Sequence, residues 1–152
     1  SPMISYKVYI VKIEDIESLL PIFEQYRQDF EGKPNPELAR VYLAKFILQD
    51  EYHLMVAKSE NHEIVGFCLL CPFVSSVLLQ DSYLVNDLHV AEEHRGQGAG
   101  GALLDACREF GVEKNLKFMM LHTENTNLVA QGAYKSRGWE HDETCRLYYI
   151  IL

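Results

Sequence analysis

Long apolar runs are absent from the chain. No stretch approaches the roughly 18 consecutive apolar residues of a bilayer-crossing helix, so no membrane association is expected. The opening Ser1-Pro2-Met3 lacks a basic segment followed by an apolar one, so no secretory leader is expected. Ser1-Pro2 reads as a cloning remnant ahead of a natural start at Met3. Cysteine is scarce. Cys68, Cys71, Cys107 and Cys145 are too few and too scattered for a disulfide-stapled secreted scaffold, and a reducing cytoplasm is the expected compartment. Cys68-x-x-Cys71 has the spacing of a redox or zinc half-site. It lies inside Gly66-Phe67-Cys68-Leu69-Leu70-Cys71, which reads as a strand, where positions i and i+3 point to opposite faces. No second such pair or nearby His pair completes a tetrahedral site, so no metal is expected. Positive charge is short too: 14 Lys and Arg stand against 22 Asp and Glu, a net of −8. Sequence-independent nucleic-acid binding needs clustered Lys and Arg to displace counterions, so no nucleic-acid partner is expected. The same balance favours a cationic partner through electrostatic steering.

What is present is a globular composition: 152 residues, 48% hydrophobic and 24% charged. Aromatic and β-branched residues are numerous enough to offset chain entropy, and one domain over 1–152 is expected. The charge is uneven. Residues 1–89 hold 7 basic and 13 acidic residues, and residues 90–152 hold 7 and 9. The excess is densest over 13–37, where Glu14, Asp15, Glu17, Glu24, Asp29, Glu31 and Glu37 face only Arg27 and Lys33. A solvated helix face is the plain reading of that run.

Alternation with β-branched residues predicts a first strand over Lys7 to Val11. Helical spacing of Ile16, Leu19, Leu20, Phe23, Tyr26 and Phe30 predicts a helix over Asp15 to Phe30, with a kink or late start at Pro21. A second helix is expected from Pro36 at its first position to Leu48, with Leu38, Val41, Tyr42, Lys45 and Phe46 inward. Tyr52 to Ser59 and Glu63 to Phe73 read as a hairpin around Glu60-Asn61-His62. A strand follows over Ser82 to Val90, then a helix over about Gly98 to Lys114 with Leu103, Leu104, Cys107 and Phe110 inward. A short buried strand is expected at Phe118 to His122, and a helix over Asn127 to Ser136 closed by Gly138. Leu147 to Leu152 reads as a last strand. The order β-α-α-β-β-β-α-β-α-β predicts an α/β fold, with a mixed sheet and helices on both faces. Strand 82–90, helix 98–114 and strand 118–122 form a parallel crossover. No repeat or linker interrupts the chain.

The strongest signal is Arg95-Gly96-Gln97-Gly98-Ala99-Gly100-Gly101, between a strand and an amphipathic helix. Glycines tolerate positive φ and let backbone N–H groups approach a ligand without a Cβ in the way. A helix start adds unpaired donors and a positive dipole end. Together they make a pyrophosphate cradle. Gly96, Gly98 and Gly101 satisfy G-x-G-x-x-G, but Ala91 to Arg95 separate the motif from its strand, and too few residues follow for a dinucleotide fold. A Walker loop would need Gly-Lys-Ser/Thr, which is missing. A nucleotide-binding oxidoreductase is therefore disfavoured.

Arg95-x-x-Gly98-x-Gly100 after Asn86-Asp87-Leu88-His89-Val90 resembles motif A of the GNAT superfamily of acetyl-CoA-dependent N-acetyltransferases. Asn127-x-x-Ala130-x-x-Ala133-Tyr134-x-x-x-Gly138-Trp139 is similar to a second signature of that family. The two lie in the family's order, about 30 residues apart, and the element order matches essentially the whole chain. Phe73-Val74-Ser75-Ser76 ahead of Leu84-Val85-Asn86-Asp87-Leu88 is similar to the branch holding diamine and thialysine acetyltransferases and histone-type relatives. The resemblance implies a sheet of six to seven strands in which the fourth and fifth splay apart. It implies that coenzyme A's pantetheine arm bonds to the backbone of Leu88, His89 and Val90. The pyrophosphate would sit on Arg95, Gly96, Gln97, Gly98, Ala99, Gly100 and Gly101. Asn127 would face the pantetheine, Tyr134 would reach the thioether sulfur, and Lys135 and Arg137 would favour the anionic cofactor.

The implied reaction is direct attack of an amine on the thioester of acetyl-CoA. A lysine-like amine has a pKa of about 10.4, so about one molecule in a thousand is free base at neutral pH. A carboxylate, directly or through a water, can take its proton. Asp87 is the first candidate. Diamine acetyltransferases carry Glu-Asp where this chain reads Asn86-Asp87, so the Glu is missing. Glu124 is a second candidate, and His89 and His122 are others. Tyr134 suits the general acid that protonates the leaving thiolate, and a strand N–H suits the oxyanion donor. The aromatic and acidic stretch Tyr26-Arg27-Gln28-Asp29-Phe30-Glu31 would lie on the acceptor side, with Tyr26, Asp29, Phe30, Asp87 and Glu124 as substrate contacts. The expected acceptor is a small cationic amine such as a polyamine, thialysine or a lysine side chain. The alternatives are a protein lysine or N-terminal acetyltransferase and a non-catalytic acyl-CoA-binding regulatory domain. A homodimer through C-terminal strands is implied by analogy.

Overall fold

The computed structural model describes residues 5–152, so the reading of Ser1-Pro2 as a remnant lies outside the described residues. The chain divides into two compact units, the first ending at His122 and the second running Thr123–Leu152.

The first unit is a five-stranded sheet in the order β1-β2-β3-β4-β5. Its strands are β1 (Lys7–Ile10), β2 (His53–Lys58), β3 (Ile64–Ser75), β4 (Gln80–Val90) and β5 (Met119–Leu121). The first four pair antiparallel, and β4 and β5 pair parallel, as the crossover requires. Helices α1 (Ile16–Asp29) and α2 (Pro36–Leu48) pack on one face, and α3 (Ala99–Glu113) packs on the other. Neighbouring residues of β3 show the two layers. Phe67 meets Phe23 of α1 edge-on at 5.6 Å, whereas the Cys68 sulfur lies 3.2 Å from that of Cys107 on α3. Cys71 packs with the α1/α2 core, so the CxxC spacing does place its thiols on opposite faces.

The α1/α2 core is built from Leu19, Leu43, Phe67 and Leu69, each essentially inaccessible to solvent. Each such side chain contributes roughly 1.5–3 kcal/mol by burial. A single 3-10 turn at Ile13–Asp15 leads into α1, which then continues past Pro21. Asn35 starts α2: its side chain accepts the Leu38 N–H at 3.2 Å, and Pro36 follows in the position where no N–H is needed. The inward face of α2 differs from expectation. Ala39 and Leu43 are its buried residues, while Val41 is 62% exposed. The helix lies against the sheet along a narrower stripe than the apolar positions alone suggest.

Strand β4 carries an irregularity that matters below. Leu69 pairs with Asp87, but Leu70 pairs with Val85, so Asn86 is an extra residue bulging from β4. Strand β5 pairs with β4 only at Tyr83, Leu84 and Val85. From Asn86 to Val90 that edge of β4 has no strand partner among the described residues. β5 is partly exposed rather than buried.

In the second unit, α4 (Leu128–Ser136) is capped by the Asn127 side chain, which accepts the Ala130 N–H at 3.2 Å. It ends as the sequence predicts. Gly138 takes φ +89°, its N–H meets the Lys135 carbonyl at 3.1 Å, and the Trp139 N–H meets that of Tyr134 at 3.0 Å. The expected last strand over Leu147 to Leu152 is not formed. All six residues are exposed, at 73% or more. A strand exists only through a neighbour that takes up its N–H and C=O groups, and β propensity by itself supplies none. The sheet therefore has five strands rather than six or seven. No helix among the described residues is long and apolar enough to cross a membrane.

Candidate functional site

The glycine-rich turn leaves β4 through a chain of backbone bonds. The Ala91 N–H meets the Val65 carbonyl at 2.8 Å, His94 bonds back to Ala91, and Arg95 to Glu92. The Arg95 Nε–H donates to the Val90 carbonyl at 3.0 Å. Of the three backbone stations expected for a pantetheine arm, Val90 therefore has one lone pair of its carbonyl engaged. Gln97 is tied by its side chain, accepting the Tyr6 hydroxyl at 2.8 Å. What Gln97 can offer a ligand is its backbone.

Gly98 sits at φ +102°, immediately before α3. That left-handed conformation costs an L-residue roughly 1–2 kcal/mol, so glycine is required by the backbone there. The Ala102 N–H makes the first intrahelical bond, to the Gly98 carbonyl at 3.0 Å. The N–H groups before it, from Ala99 to Gly101, have no helical acceptor. A Cβ built on Gly100 would meet only Val90 Cγ2, at 3.7 Å. The protein leaves that space to something else, which fits a phosphate laid against the helix start. No acidic residue stands in the first turn of α3 to oppose it.

On the opposite face of the sheet, β4 meets α1. The Tyr26 hydroxyl donates to Asp87 Oδ1 at 2.7 Å, and Asn86 Nδ2 donates to Asp87 Oδ2 at 2.6 Å. Each carboxylate oxygen keeps a second lone pair, so Asp87 can still accept from a water or an ammonium. The buried His89 ring packs 5.1 Å from Tyr26 and 5.9 Å from Phe67. Burial pushes its pKa down and the positive charge of Arg95 adds to this, while Asp29 opposes both. A neutral imidazole thus stands beside the Tyr26–Asp87 pair.

Tyr26, Asn86 and Asp87 border a cleft of about 430 Å³ between α1, α2 and β4. Its walls are aromatic: Phe23, Tyr26, Tyr42 and Phe46. The structure brings Tyr26 and Asp87 together, and Phe30 lies 5.1 Å from Tyr26, ring to ring, although 58% exposed. Asp29 is exposed, accepts from Gln25 at 2.9 Å and does not line the cleft. The α2 wall was not among the expected contacts. Its signal was present in the apolar spacing of Leu38, Tyr42 and Phe46, which reads equally well as core.

Three of the seven acidic residues over 13–37 prove to be ion-paired. Glu17 bonds Arg40 at 2.7 Å, Asp15 lies 3.8 Å from Lys58, and Glu24 bonds Arg27 at 2.5 Å. Counting along the chain misses Arg40 and Lys58, which come from outside the segment. Glu24 also accepts the Asn35 N–H at 2.7 Å and so ties the α1–α2 loop to α1. Burial opposes its ionisation, but the Asn35 N–H and the Arg27 guanidinium outweigh this and hold its carboxyl below the usual range. Its stabilising effect is therefore present above the ordinary glutamate range and is lost as pH falls through the lowered native value. Glu24→Gln is expected to cost about 1–3 kcal/mol at neutral pH, by removing the charge from a part-buried guanidinium bond. Urea melts at neutral and acid pH measure this, and the gap from the unmodified protein narrows in acid.

The second unit holds Glu124, Asn127 and Tyr134. The Glu124 carbonyl accepts the Asn127 N–H at 3.0 Å and Gln131 Nε2 at 3.1 Å. Asn127 spends its side-chain oxygen on the helix cap, leaving its amide donors for other use. Tyr134 is half-buried; burial raises its pKa and a hydrogen bond with the Thr123 side chain pulls the other way. The net direction is upward, so the phenol keeps its proton through the neutral range.

Against known proteins, a family model described as the acetyltransferase (GNAT) family matches residues 18–139. The uncharacterized N-acetyltransferase YhfO of Bacillus subtilis (strain 168) is 34% identical over 131 residues, covering 86% of this chain and 87% of that protein. A probable acetyltransferase of Haemophilus influenzae is 32% identical over 152 residues, covering 96% and 98%. A crystal structure of a probable acetyltransferase superposes with a TM-score of 0.88 at 29% identity, over 96% of this chain and 97% of that one.

Proposed function

The chain belongs to the acetyltransferase (GNAT) family, and on that premise we propose that it moves an acetyl group from acetyl-CoA to a small cationic primary amine. The observation carrying the amine part is the Tyr26–Asp87 contact at 2.7 Å, set at the β4 bulge where the strand loses its β5 neighbour. It puts a carboxylate between an open backbone edge on one side and the aromatic cleft on the other.

Acetyl-CoA supplies the acetyl group as a thioester. Its pyrophosphate would lie on the N–H groups of Gly96 to Gly101 and its pantetheine along the backbone of Leu88, His89 and Val90, and the family's second signature assigns Asn127 to the same arm. Asp87 accepts the ammonium's hydrogen bonds and takes its proton, directly or through a water, with Tyr26 and Asn86 holding the carboxylate in place. By the family's pattern Tyr134 would donate its phenolic proton to the departing sulfur, and its raised pKa keeps that proton in place at neutral pH. We place this activity in the cytoplasm, on one N-acetyltransferase domain spanning the chain. A homodimer belongs to the same reading, and the exposed apolar run Leu147–Leu152 supports it.

Thermal melts with acetyl-CoA, followed by thiol release across an amine panel, test the proposal. Acetyl-CoA at 100 times its dissociation constant should stabilise the protein by about 2.7 kcal/mol, and primary amines should release free thiol. Binding without transfer to any amine or peptide would favour a regulatory domain. Transfer confined to protein N-termini or protein lysines would favour a macromolecular acceptor.

A further inference from the structure

The cleft that receives the amine is poor in negative charge. Among the described residues that line it, Asp87 is the one carboxylate. Arg27 also lines it, with its charge answered by Glu24 at 2.5 Å. Lys45, which is not part of the lining, stands 5.6 Å from the Tyr42 ring centroid. The rest of the wall is the four aromatic rings with Leu38, Ala39 and Leu69 and the neutral amides Asn35 and Asn86. One ammonium can be met, by Asp87. A second ammonium, carried a few carbons further on, would meet ring faces and neutral amides but no second carboxylate, and would approach the Arg27 guanidinium. An unpaired cation moved out of water is heavily penalised. A flat apolar body, by contrast, gains contact area on Tyr42, Phe46 and Phe23.

We infer that the acceptor is a monoamine carried on an aromatic or bulky apolar body, and that this cleft selects it against polyamines by offering a single carboxylate. The inference rests on the proposed amine acetylation and narrows its substrate class. The acidic groups outside the cleft, such as Asp29, keep a role in drawing cations to the mouth. They supply no second counter-charge inside.

The test compares kcat/KM for phenethylamine, tyramine, hexylamine, cadaverine and spermidine with acetyl-CoA saturating. Phenethylamine or tyramine is expected to exceed cadaverine and spermidine by about tenfold or more, the scale on which an apolar pocket separates ligands. Leu38 lines the cleft but is 49% exposed, so a carboxylate there is compatible with folding. Leu38→Glu is expected to shift the cadaverine-to-phenethylamine ratio toward cadaverine by about tenfold, on the same scale. Tyr42→Leu, also at a part-exposed wall position, is expected to lower the aromatic amines selectively. A diamine that equals or beats phenethylamine in the unmodified protein overturns this inference and leaves amine acetylation standing. Absence of turnover with every amine overturns both. A Leu38→Glu protein that melts like the unmodified one, yet keeps its ratio, also counts against a charge-selected cleft.

Discussion

Tyr134→Phe is expected to lower kcat by about 10²–10³, the usual worth of a positioned general acid, while the KM for acetyl-CoA stays within about twofold. The substitution removes one oxygen from a half-buried ring at the end of α4. The ring's packing is kept. What is lost is a hydrogen bond with Thr123 and, in the proposed reaction, the proton for the leaving sulfur. The unmodified enzyme should hold its rate well into alkaline conditions, because burial keeps the phenol protonated above its ordinary range. The Phe variant should lose the alkaline limb that belongs to this group. A Thr123→Val control removes the hydrogen bond without the acid, so it should change kcat far less. Unchanged turnover in Tyr134→Phe would remove Tyr134 from the chemistry.

Gly100→Val should separate cofactor binding from folding. The space beside Gly100 is empty except for Val90 Cγ2 at 3.7 Å. An alanine fits there without strain, and it gains up to about 1 kcal/mol of helix stability over glycine. The bulkier valine fills the space where a phosphate would approach the helix N–H groups. Gly100→Ala is therefore expected to melt at or above the unmodified temperature and to bind acetyl-CoA more weakly. Gly100→Val is expected to raise the KM for acetyl-CoA by about tenfold or more, since close backbone approach to the pyrophosphate is what glycine permits. Gly98→Ala behaves differently. It pays roughly 1–2 kcal/mol for its left-handed backbone before any ligand is present. Calorimetric titration with coenzyme A and thermal melts, run on all three, read the two effects apart. Equal acetyl-CoA affinity in Gly100→Val would remove this turn from phosphate binding.

Local signals made most of the fold legible. The glycine turn, the α3 stripe of Leu103, Leu104, Cys107 and Phe110, the Asn35-Pro36 start of α2 and the Gly138 stop of α4 each depend on a few neighbouring residues, and each is where the spacing put it. Readings that depend on distant partners fared less well. Val41 has helical spacing but lies off the contact stripe. Leu147 to Leu152 has strand composition and no neighbour to pair with. In the cleft between α1, α2 and β4, Tyr26 and Asp87 are 61 residues apart, and the family's pattern rather than their spacing brought them together. The α2 wall was hidden because an aromatic lining a cleft and an aromatic filling a core share one periodicity. The charge of 13–37 was overcounted because its partners Arg40 and Lys58 belong to other elements.

The extra residue at Asn86 has a consequence for how β4 tolerates change. Leu70 follows Leu69 on β3 and so faces α3, and its partner Val85 faces α3 with it. Strict alternation from Val85 would send Asp87 and His89 to the α3 side and Leu88 toward α1. The bulge slips the strand by one, and Asp87 and His89 arrive against Tyr26 instead. β4 is thus two short strands in different phase, joined at one residue. Deleting Asn86 would close the bulge and leave Asp87 to Val90 on their present faces, whereas closing it with every residue kept would exchange inside for outside up to Val90. A substitution map of β4 would carry that signature: an alternating rhythm of tolerance up to Val85, a missed beat, and the opposite rhythm after it.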